Sequence, residues 1–383
     1  MLKVMSVIGT RPEAIKMAPV IKALAQHPDR ITSVVCATAQ HRQMLDQVLE
    51  VFDIRADYDL DVMMSNQTLP QLTANILLRL TDVVASVRPD WLLVQGDTTT
   101  VMAASLVAYY HRVRVGHVEA GLRTHDKWQP FPEEINRRVT DVVADLYFAP
   151  TERNRQTLLA EGVRDDAIVV TGNTVIDALL MTDARIAQER GNVRRWSADG
   201  KRLVLVTAHR RENFGEPLAH ICDALAEIAA RFTDVHIVYP VHPNPNVLLP
   251  VQARLSSIPN ITLIEPQGYY DFVGLLREAH LVLTDSGGIQ EEAPGLSVPV
   301  LVMREVTERP EGVEAGVVRL VGTDPRRIVD EVTLLLQDAD AHRRMARGAN
   351  PYGDGRASQR IVDAILAAST PSGSSSVMEK SYV

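Results

Sequence analysis

Short apolar runs rich in β-branched residues alternate with longer amphipathic segments along most of the chain. Such runs are typical of buried strands, and apolar positions three and four residues apart are typical of helices, as from Leu69 to Val87. The predicted strands are Leu2–Ile8, Ile31–Thr38, Trp91–Val94, Val113–Val118, Leu146–Ala149, Ile168–Val170, Leu203–Thr207, Val235–Tyr239, Ile261–Ile264, Leu281–Thr284, Val298–Val302 and Val317–Val321. The alternation predicts an α/β protein with two doubly wound, mostly parallel sheets.

The alternation is interrupted between Asn173 and Gly200, where the chain becomes helical and then charged. We therefore expect an N-terminal Rossmann-like domain over residues 1–172 and a second over 173–354, with a helix at about 355–368 that packs back on the first. The Ser-rich segment 369–383 is predicted to be disordered. Pro19 predicts a kink or break in the first helix. Two such domains place the carboxyl ends of their strands at a common cleft.

Composition limits the classes of protein that fit. The net charge of −8 argues against a nucleic-acid-binding surface, which needs a basic field. Cys36 and Cys222 stand far apart in apolar contexts, so neither a disulfide framework nor a cysteine metal site is expected. No apolar run approaches the roughly 18 residues of a membrane span, and the N-terminus lacks a signal pattern. The sequence predicts a cytoplasmic protein without membrane contact.

The segment from Thr284 to Ala293 reads TDSGGIQEEA and follows a predicted strand. Ser286, Gly287 and Gly288 would then open a helix, where backbone N–H groups and the helix dipole favour a phosphate group. Glu292 lies in the first helical turn, where a ribose diol is a suitable partner. The pattern predicts a site for a nucleoside diphosphate.

Cationic side chains follow several other predicted strands and would complete a phosphate site. Guanidinium groups match phosphate oxygens well, and a histidine can donate one or two hydrogen bonds. The alternative is that some of these cations are solvated or pair with Glu212. The candidates are Arg11, Lys16, His209, Arg210, Arg211 and Arg309.

Three carboxylates, Asp97, Glu119 and Glu133, stand at strand ends or at a helix start. Acids that converge on one cleft raise one another's pKa values, which suits general acid–base catalysis near neutral pH. The structural alternative is that Asp97 caps the following helix and that Glu133 neutralises a helix N-terminus. Both interpretations stay open from the sequence.

Several familiar catalytic patterns are missing from the sequence. There is no Gly-x-Ser-x-Gly elbow, no Walker lysine loop and no Gly-x-Gly-x-x-Gly fingerprint. No His, Cys and Asp residues show metal-ligand spacing, and a lone histidine such as His242 is more often structural. Neither a metal nor a redox cofactor is therefore expected.

Taken together, these clusters resemble the bacterial non-hydrolysing UDP-N-acetylglucosamine 2-epimerases, which have a glycosyltransferase-B-like fold. The resemblance extends in order from Thr10 to Gly355, and only the tail after Ser369 lies outside it. The motifs that carry it are GTRPEAIKMAPV, AQHRQMLDQVL, GDTTT, HVEAGLRT, PFPEEINRR, TGNTVIDAL, VTAHRREN, YPVHPNPNV, TDSGGIQEEAP, ERPEG and NPYGDG.

The resemblance implies reversible epimerisation at C2 between UDP-N-acetylglucosamine and UDP-N-acetylmannosamine, by anti elimination of UDP to 2-acetamidoglucal and re-addition. It also implies a homodimer, and a product that feeds bacterial surface polysaccharide. The alternatives left open are a hydrolysing epimerase that releases N-acetylmannosamine and UDP, a glycosyltransferase of the same fold, and a catalytically silent nucleotide-sugar sensor.

The resemblance also assigns roles to individual residues of this sequence. Asp97, Glu119 and Glu133 would be catalytic, with His209 assisting the leaving group. The residues that would bind UDP and the sugar are Arg11, Lys16, Gln267, Phe272, Ser286, Gly287, Gly288, Glu292 and Arg309. Some members of the family bind a second UDP-N-acetylglucosamine as an activator, and the residues that match that site are Gln40, Gln43, Glu133, Arg210 and His242.

Overall fold

The computed structural model describes residues 1–38, 42–64, 66–189, 196 and 200–370. Gln40, the side chain of Gln43 and the tail beyond residue 370 lie outside the described residues, so the predictions on them stay predictions. None of the described helices is long and apolar enough to cross a membrane.

The first half of the chain forms a seven-stranded parallel sheet in the order β3-β2-β1-β4-β5-β6-β7. Its strands are β1 (Leu2–Ile8), β2 (Ile31–Ala37), β3 (Tyr58–Asp59), β4 (Trp91–Gln95), β5 (Arg114–Val118), β6 (Leu146–Ala149) and β7 (Ile168–Val170). All the strands predicted for this half are present. The two-residue β3 was not predicted, because it is too short to show a hydrophobic pattern.

The second half forms a six-stranded parallel sheet in the order β10-β9-β8-β11-β12-β13. Its strands are β8 (Arg202–Thr207), β9 (Val235–Pro240), β10 (Ile261–Ile264), β11 (Ala279–Thr284), β12 (Val300–Val302) and β13 (Val318–Leu320). All six correspond to predicted strands. In each sheet the strand order reverses next to the first strand of that half, and this reversal creates the crevice in which doubly wound folds bind ligands.

Helices connect the strands and cover the sheets. They are α1 (Arg11–Ala25), α2 (Arg42–Val51), α3 (Leu69–Val87), α4 (Thr99–Tyr110), α5 (Glu133–Val143), α6 (Glu152–Ala160), α7 (Thr174–Gln188), α8 (Glu216–Arg231), α9 (Pro245–Leu255), α10 (Tyr269–Glu278), α11 (Gly287–Gly295), α12 (Pro310–Glu314), α13 (Pro325–Gln337), α14 (Ala339–Ala346) and α15 (Ala357–Ser369). Pro19 lies inside the single helix α1, so of the two predicted outcomes the break is wrong and the kink stays a prediction.

The amphipathic pattern of α3 explains how this helix forms and packs. Thr68 and Gln71 make a capping box at its N-terminus, and Arg88 ends it in the left-handed conformation with φ 49°. Ile76 and Leu80 are fully buried, whereas Leu78 on the opposite face is 70% exposed. The core face of α3 therefore matches the pattern that predicted the helix.

The two halves are joined by two chain crossings that lie side by side. The Asn173 N–H donates to the Tyr352 carbonyl oxygen at 2.6 Å, which ties the first crossing to the second. Beyond the second crossing, α15 packs against α1 and α7. The C-terminal helix thus contacts a helix of each half, while the predicted domain organisation itself stays a prediction.

The burial contrast along α3 gives a test of the fold. We expect Leu80→Ala to lower the free energy of unfolding by about 2–5 kcal/mol, because the substitution leaves a cavity in the core. The matched control is Leu78→Ala on the exposed face of the same helix, which should change it by less than about 0.5 kcal/mol. Urea unfolding followed by circular dichroism measures both, and equal losses would contradict the packing of α3.

Candidate active site

The main cavity lies between the two halves and has a volume of about 630 Å³. Residues of α1 and the turn before it form one wall, and residues of the second half form the other. The lining residues are Thr10, Arg11, Pro12, Ile15, Lys16, Val175, His209, Tyr269, Phe272, Ser286, Gly288, Ile289, Glu291, Glu292 and Arg309. Eight residues predicted from the sequence therefore share one cavity, namely Arg11, Lys16, His209, Phe272, Ser286, Gly288, Glu292 and Arg309.

The start of α11 has the geometry expected of a phosphate grip. Gly287 is the first helical residue and Ser286 is the N-cap, but the Ser286 side chain makes no capping hydrogen bond. The N-terminal N–H groups of α11 therefore keep their capacity to bind an anion at the edge of the cavity. A Cβ at Gly287 would lie 3.1 Å from Glu308 Oε1, so a larger residue would crowd this turn.

The buried carboxylate of Asp285 ties the α11 turn to the loop that follows β8. One oxygen accepts hydrogen bonds from the backbone N–H groups of His209 and Arg210, both at 2.8 Å, and from Asn213 Nδ2 at 3.0 Å. Its other oxygen has no hydrogen-bond partner among the described residues and lies 3.8 Å from His209 Nδ1. Asp285 thus positions His209 beside the phosphate grip, a role that the sequence motif did not reveal.

His209 is half-exposed at the cavity and stacks on His242, with ring centroids 5.6 Å apart. Burial lowers the pKa of His209, although Asp285 opposes the shift. The imidazole is therefore mainly neutral near pH 7. The histidine that was expected to be structural, His242, thus supports a residue of the cavity.

Glu292 lines the cavity from beyond the first turn of α11, so its predicted place in the first helical turn is wrong, because the helix begins at Gly287. Burial raises its pKa to about 8, and the nearby Glu291 carboxylate adds to the shift. Lys16 and Arg11 oppose that shift. The carboxyl group is therefore largely protonated at neutral pH, and it can donate a hydrogen bond as well as accept one.

Glu119 follows β5 and is the most extensively bonded carboxylate of the site. Lys16 Nζ lies 2.6 and 2.7 Å from its two oxygens, Asn173 Nδ2 donates to Oε1 at 3.1 Å, and Gln95 Nε2 donates to Oε2. Burial favours the protonated form, but Lys16 and Arg309 outweigh it and the pKa of Glu119 is lowered. The expectation of a raised pKa at Glu119 is therefore wrong, because two cations dominate its surroundings.

None of the three candidate acids is among the residues that line the main cavity: Glu119 lines a neighbouring cavity of about 220 Å³, and Asp97 and Glu133 line neither. Arg137 forms an ion pair with Asp97 and also lies 3.1 Å from Glu134. Thr98, not Asp97, is the N-cap of α4, so the capping interpretation of Asp97 is wrong. Glu133 opens α5, as predicted, and its buried Oε2 has no hydrogen-bond partner in the part of the chain that the structure describes.

Gln267, Arg210 and Gly287 are not among the residues that line the main cavity. Gln267 lines a neighbouring pocket of about 560 Å³ that shares Arg11 and Tyr269 with the main cavity. Its carbonyl oxygen accepts a hydrogen bond from Arg11 Nη2 at 3.3 Å. Arg210 donates to the Asp285 carbonyl oxygen at 3.1 Å and does not pair with Glu212.

Pairing of Glu212 with its neighbouring arginines was one expectation for this region. In the structure, Glu212 accepts a hydrogen bond from Arg304 Nε at 2.6 Å, and Arg210 Nη2 lies 3.1 Å from Glu308. The predicted pairing of Arg210 with Glu212 is therefore wrong. A long-range contact replaces it, since Arg304 and Glu308 lie almost a hundred positions further along the chain.

Two further residues were missed as candidates. Glu13 accepts hydrogen bonds from the Gly9 N–H at 2.7 Å and the Thr10 hydroxyl at 2.9 Å, and burial raises its pKa to about 7. Tyr269 lines the cavity, and its buried hydroxyl has no hydrogen-bond partner among the described residues. The Thr10-x-x-Glu13 spacing resembles a capping box and could have identified Glu13 as a candidate. No local sequence pattern identifies Tyr269.

The raised pKa of Glu292 predicts a stability that depends on pH. Its ordinary pKa is 4.5 and its folded value is about 8, so the folded protein binds the proton more tightly and its free energy of unfolding falls as pH rises between these values. We expect Glu292→Gln to flatten this fall, as measured by urea unfolding at pH 5 and pH 8.

The control for this experiment is Glu216→Gln, at a carboxylate whose side chain is 84% exposed. Glu13 contributes a fall of the same sign in every variant, so only the difference from the unsubstituted protein reports Glu292. If Glu292→Gln keeps the full pH dependence, the proposed protonation of Glu292 is wrong.

Comparison with known proteins places the chain in a family. A family model described as UDP-N-acetylglucosamine 2-epimerase matches residues 22–366. The UDP-N-acetylglucosamine 2-epimerase of Yersinia pestis is 55% identical over 370 residues, covering 95% of this chain and 98% of that protein. The protein of the same name from Escherichia coli strain K12 is 54% identical over 370 residues, again covering 95% and 98%.

A solved structure supports the same placement. The crystal structure of UDP-GlcNAc 2-epimerase from Neisseria meningitidis bound to UDP-GlcNAc has a TM-score of 0.86 and 50% sequence identity, and the match covers 96% of this chain and 100% of that one. The predicted fold of two doubly wound, Rossmann-like halves in a glycosyltransferase-B-like arrangement is thereby confirmed. The chain belongs to the UDP-N-acetylglucosamine 2-epimerase family of isomerases.

Proposed function

We propose that this protein is a non-hydrolysing epimerase that interconverts UDP-N-acetylglucosamine and UDP-N-acetylmannosamine. The observation that carries the proposal is one cavity lined by a candidate diphosphate grip and by a lysine that pairs with a candidate acid–base group. Arg11, His209 and the start of α11 line the cavity, and Lys16, which also lines it, pairs with Glu119. A solved relative from Neisseria meningitidis is bound to UDP-GlcNAc, which agrees with this choice of ligand.

The proposed chemistry explains why the site needs both a diphosphate grip and an acid–base group. The proton on C2 of the sugar is too weakly acidic for a carboxylate to remove while the bond to UDP is intact. As the C1–O bond breaks, its electron pair leaves with the diphosphate, C1 becomes cationic, and the C2 proton becomes labile. A carboxylate then takes that proton and the C1–C2 double bond of 2-acetamidoglucal forms.

Re-addition delivers a proton to C2 from the opposite face of the sugar. A diphosphate oxygen forms the bond to C1 again on its original face, so only C2 is inverted, no atom is lost and no redox cofactor is required. The anti elimination from UDP-N-acetylglucosamine therefore calls for stabilised diphosphate and for acids on two faces. The cations and the α11 N-terminus stabilise the diphosphate, because they place positive charge where negative charge develops.

The assignment of residues follows the chemistry of each part of the ligand. Glu292, when protonated, can donate a hydrogen bond to a ribose hydroxyl and accept one in return. Gln267 and Phe272 are assigned to the uracil, and Lys16 and Arg309 to the sugar-phosphate region. The diphosphate is assigned to Arg11, His209, Ser286, Gly287 and Gly288.

Glu119, Asp97 and Glu133 are proposed as the acid–base groups, with His209 assisting the departing phosphate. Glu119 reaches the cavity through its ion pair with Lys16. Asp97 follows β4 next to β5, and its side chain is 27% exposed, so it is accessible from the cleft side of the sheet. The unpartnered oxygen of Glu133 has the capacity to accept a proton or a hydrogen bond.

Activation by a second substrate molecule is a further part of the proposal. The residues assigned to that effector are Gln40, Gln43, Glu133, Arg210 and His242. The stacking of His242 on His209 gives a direct physical connection between the effector residues and the phosphate grip. A homodimer that acts in the cytoplasm and supplies N-acetylmannosamine units for surface polysaccharide completes the proposal.

Hydrogen exchange at the sugar tests the elimination. Incubation with UDP-N-acetylglucosamine in heavy water should place deuterium at C2 of both epimers, because the proton taken by the carboxylate exchanges with solvent before re-addition. Proton NMR and mass spectrometry measure the incorporation, with an enzyme-free sample as the control. Formation of UDP-N-acetylmannosamine without deuterium at C2 would contradict the elimination mechanism.

The products of the same incubation separate the alternatives. UDP-N-acetylmannosamine should appear while free UDP stays low. Stoichiometric release of UDP with free N-acetylmannosamine would instead identify a hydrolysing enzyme. Consumption of the nucleotide sugar only when an acceptor sugar is added would identify a glycosyltransferase.

Replacement of Asp97 tests the acid–base assignment. Asp97→Asn preserves the size of the side chain but removes the charge, so we expect kcat to fall at least about 10³-fold with little change in the affinity for UDP. Isothermal titration calorimetry measures the affinity. Arg137 keeps its contact with Glu134, which limits the structural effect. An equal collapse of UDP affinity would make Asp97 a binding or structural residue.

A further inference from the structure

Asn173 occupies the first crossing between the two halves, immediately before α7. It is buried, with 3% of its surface exposed. Its Oδ1 accepts a hydrogen bond from the Val175 N–H at 3.1 Å and so caps α7. The oxygen of the side-chain amide therefore has a structural role, and the nitrogen is available for a separate one.

The amide nitrogen of Asn173 bridges two carboxylates that come from different halves. Nδ2 lies 3.1 Å from Glu119 Oε1 and 2.9 Å from Glu291 Oε2. A primary amide carries two N–H donors, so each carboxylate receives one. Glu119 also pairs with Lys16, and Glu291 with Arg309, so the amide joins two ion pairs into one network.

This network forms a wall between two cavities. Behind it lies a smaller cavity of about 220 Å³, which Glu119, Asn173, Glu291 and Arg309 line. Glu291 and Arg309 also line the main cavity, whereas Asn173 and Glu119 are absent from its described lining, and Lys16 connects Glu119 to it. Asn173 therefore contacts Glu119 on the side of the smaller cavity, and its influence on the sugar passes through Glu119.

We propose that Asn173 is a positioning residue for the epimerisation, holding Glu119 in a fixed place relative to the nucleotide-binding helix α11. The inference rests on the proposed function and deepens it. Glu119 belongs to the first half, whereas α11 carries the diphosphate grip of the second half. One amide that bonds to both sets the distance between the base and the ligand, and a displacement of about 1 Å can cost roughly 100-fold in rate.

The backbone around Asn173 fixes the position of its side chain. Its N–H donates to the Tyr352 carbonyl oxygen at 2.6 Å. Gly172 has φ +87°, and a Cβ there would lie 3.1 Å from the Gly353 Cα, so the two crossings pack closely. Asn173 is thus held in place by both connections between the halves. This suits a residue that fixes the position of one half relative to the other.

Asn173→Asp separates the two roles of the side chain. An aspartate keeps the oxygen that caps α7, but it lacks the two N–H donors and adds a negative charge between Glu119 and Glu291. The charged groups that face Glu119 are Lys16 from α1, Arg309 and Glu291. Loss of a donor and gain of a like charge both disfavour ionised Glu119.

The experiment measures kcat and KM for UDP-N-acetylglucosamine between pH 5 and pH 9, together with thermal unfolding. For Asn173→Asp we expect kcat to fall about 10- to 100-fold, KM to change less than about 3-fold, and the acid limb of the kcat profile to move to higher pH. The limb moves because ionised Glu119 becomes harder to form. A purely structural role would leave the limb in place.

Two further variants make the test independent of folding effects. Asn173→Ser also caps α7 without adding charge, so it should lower kcat with a smaller shift of the acid limb and serves if the aspartate variant does not fold. Asp324→Asn is the matched control, because Asp324 caps α13 by accepting a hydrogen bond from the Arg327 N–H at 2.9 Å. It should keep the wild-type kcat and pH profile.

The outcomes distinguish this inference from the proposed function. A wild-type protein without epimerase activity would overturn the proposed function, and this inference with it. An active wild-type protein whose folded Asn173 variants keep its kcat and pH profile would overturn this inference alone. A fall in kcat that follows the loss of thermal stability, with the acid limb unmoved, would also overturn it, since Asn173 would then be only structural.

Discussion

Two buried carboxylates, Glu119 and Glu291, come from different halves of the chain and lie on either side of the Asn173 amide. Each is compensated by a cation, and neither could be buried stably without one, because an unpaired charge in a protein interior costs several kcal/mol. The cations are Lys16 and Arg309. The rest of the cleft depends on this compensation, since it keeps Glu119 ionised inside a closed site.

The same network explains why neighbouring carboxyl groups have opposite electrostatic behaviour. Glu119 lies against Lys16, and its pKa is lowered. Glu292 lines the main cavity next to Glu291 and forms no ion pair within the described part of the chain, and its pKa is raised to about 8. Burial raises the pKa of both carboxyl groups, so the charged neighbours of each group decide whether its pKa is finally lowered or raised. One cleft thereby holds an ionised acid and a protonated one at neutral pH, as acid–base chemistry and hydroxyl recognition respectively require.

The sheet topology brings these groups together. The strands that flank the reversal in strand order are β1 and β4 in the first sheet and β8 and β11 in the second, and the turns after β1, β8 and β11 contribute residues to the lining of the main cavity. Asp285 illustrates how closely the turns are linked, because its buried carboxylate holds the backbone of His209 beside the α11 N-terminus. Parallel strands with helical connections thus bring segments that are distant in the sequence together in one wall of the cavity.

The sequence by itself determined the strands, most helix positions and the set of polar turns, because these follow from local periodicity and from turn residues. Leu69–Val87 is an example, since its pattern and its caps are local. The family also follows from the sequence, because its motifs occur in order. Local periodicity could not reveal β3, which is two residues long.

Only the tertiary structure decided which charged groups lie next to each carboxyl group, and hence whether that carboxyl group is ionised. Lys16 and Glu119 are 103 positions apart, and Asn173 and Glu291 are 118 positions apart, so no local pattern could predict that they would meet. For the same reason the sequence suggested a raised pKa for Glu119 and a capping role for Asp97. Whether a buried carboxylate is ionised depends on which charges lie within a few ångströms of it, and only the folded chain sets those distances.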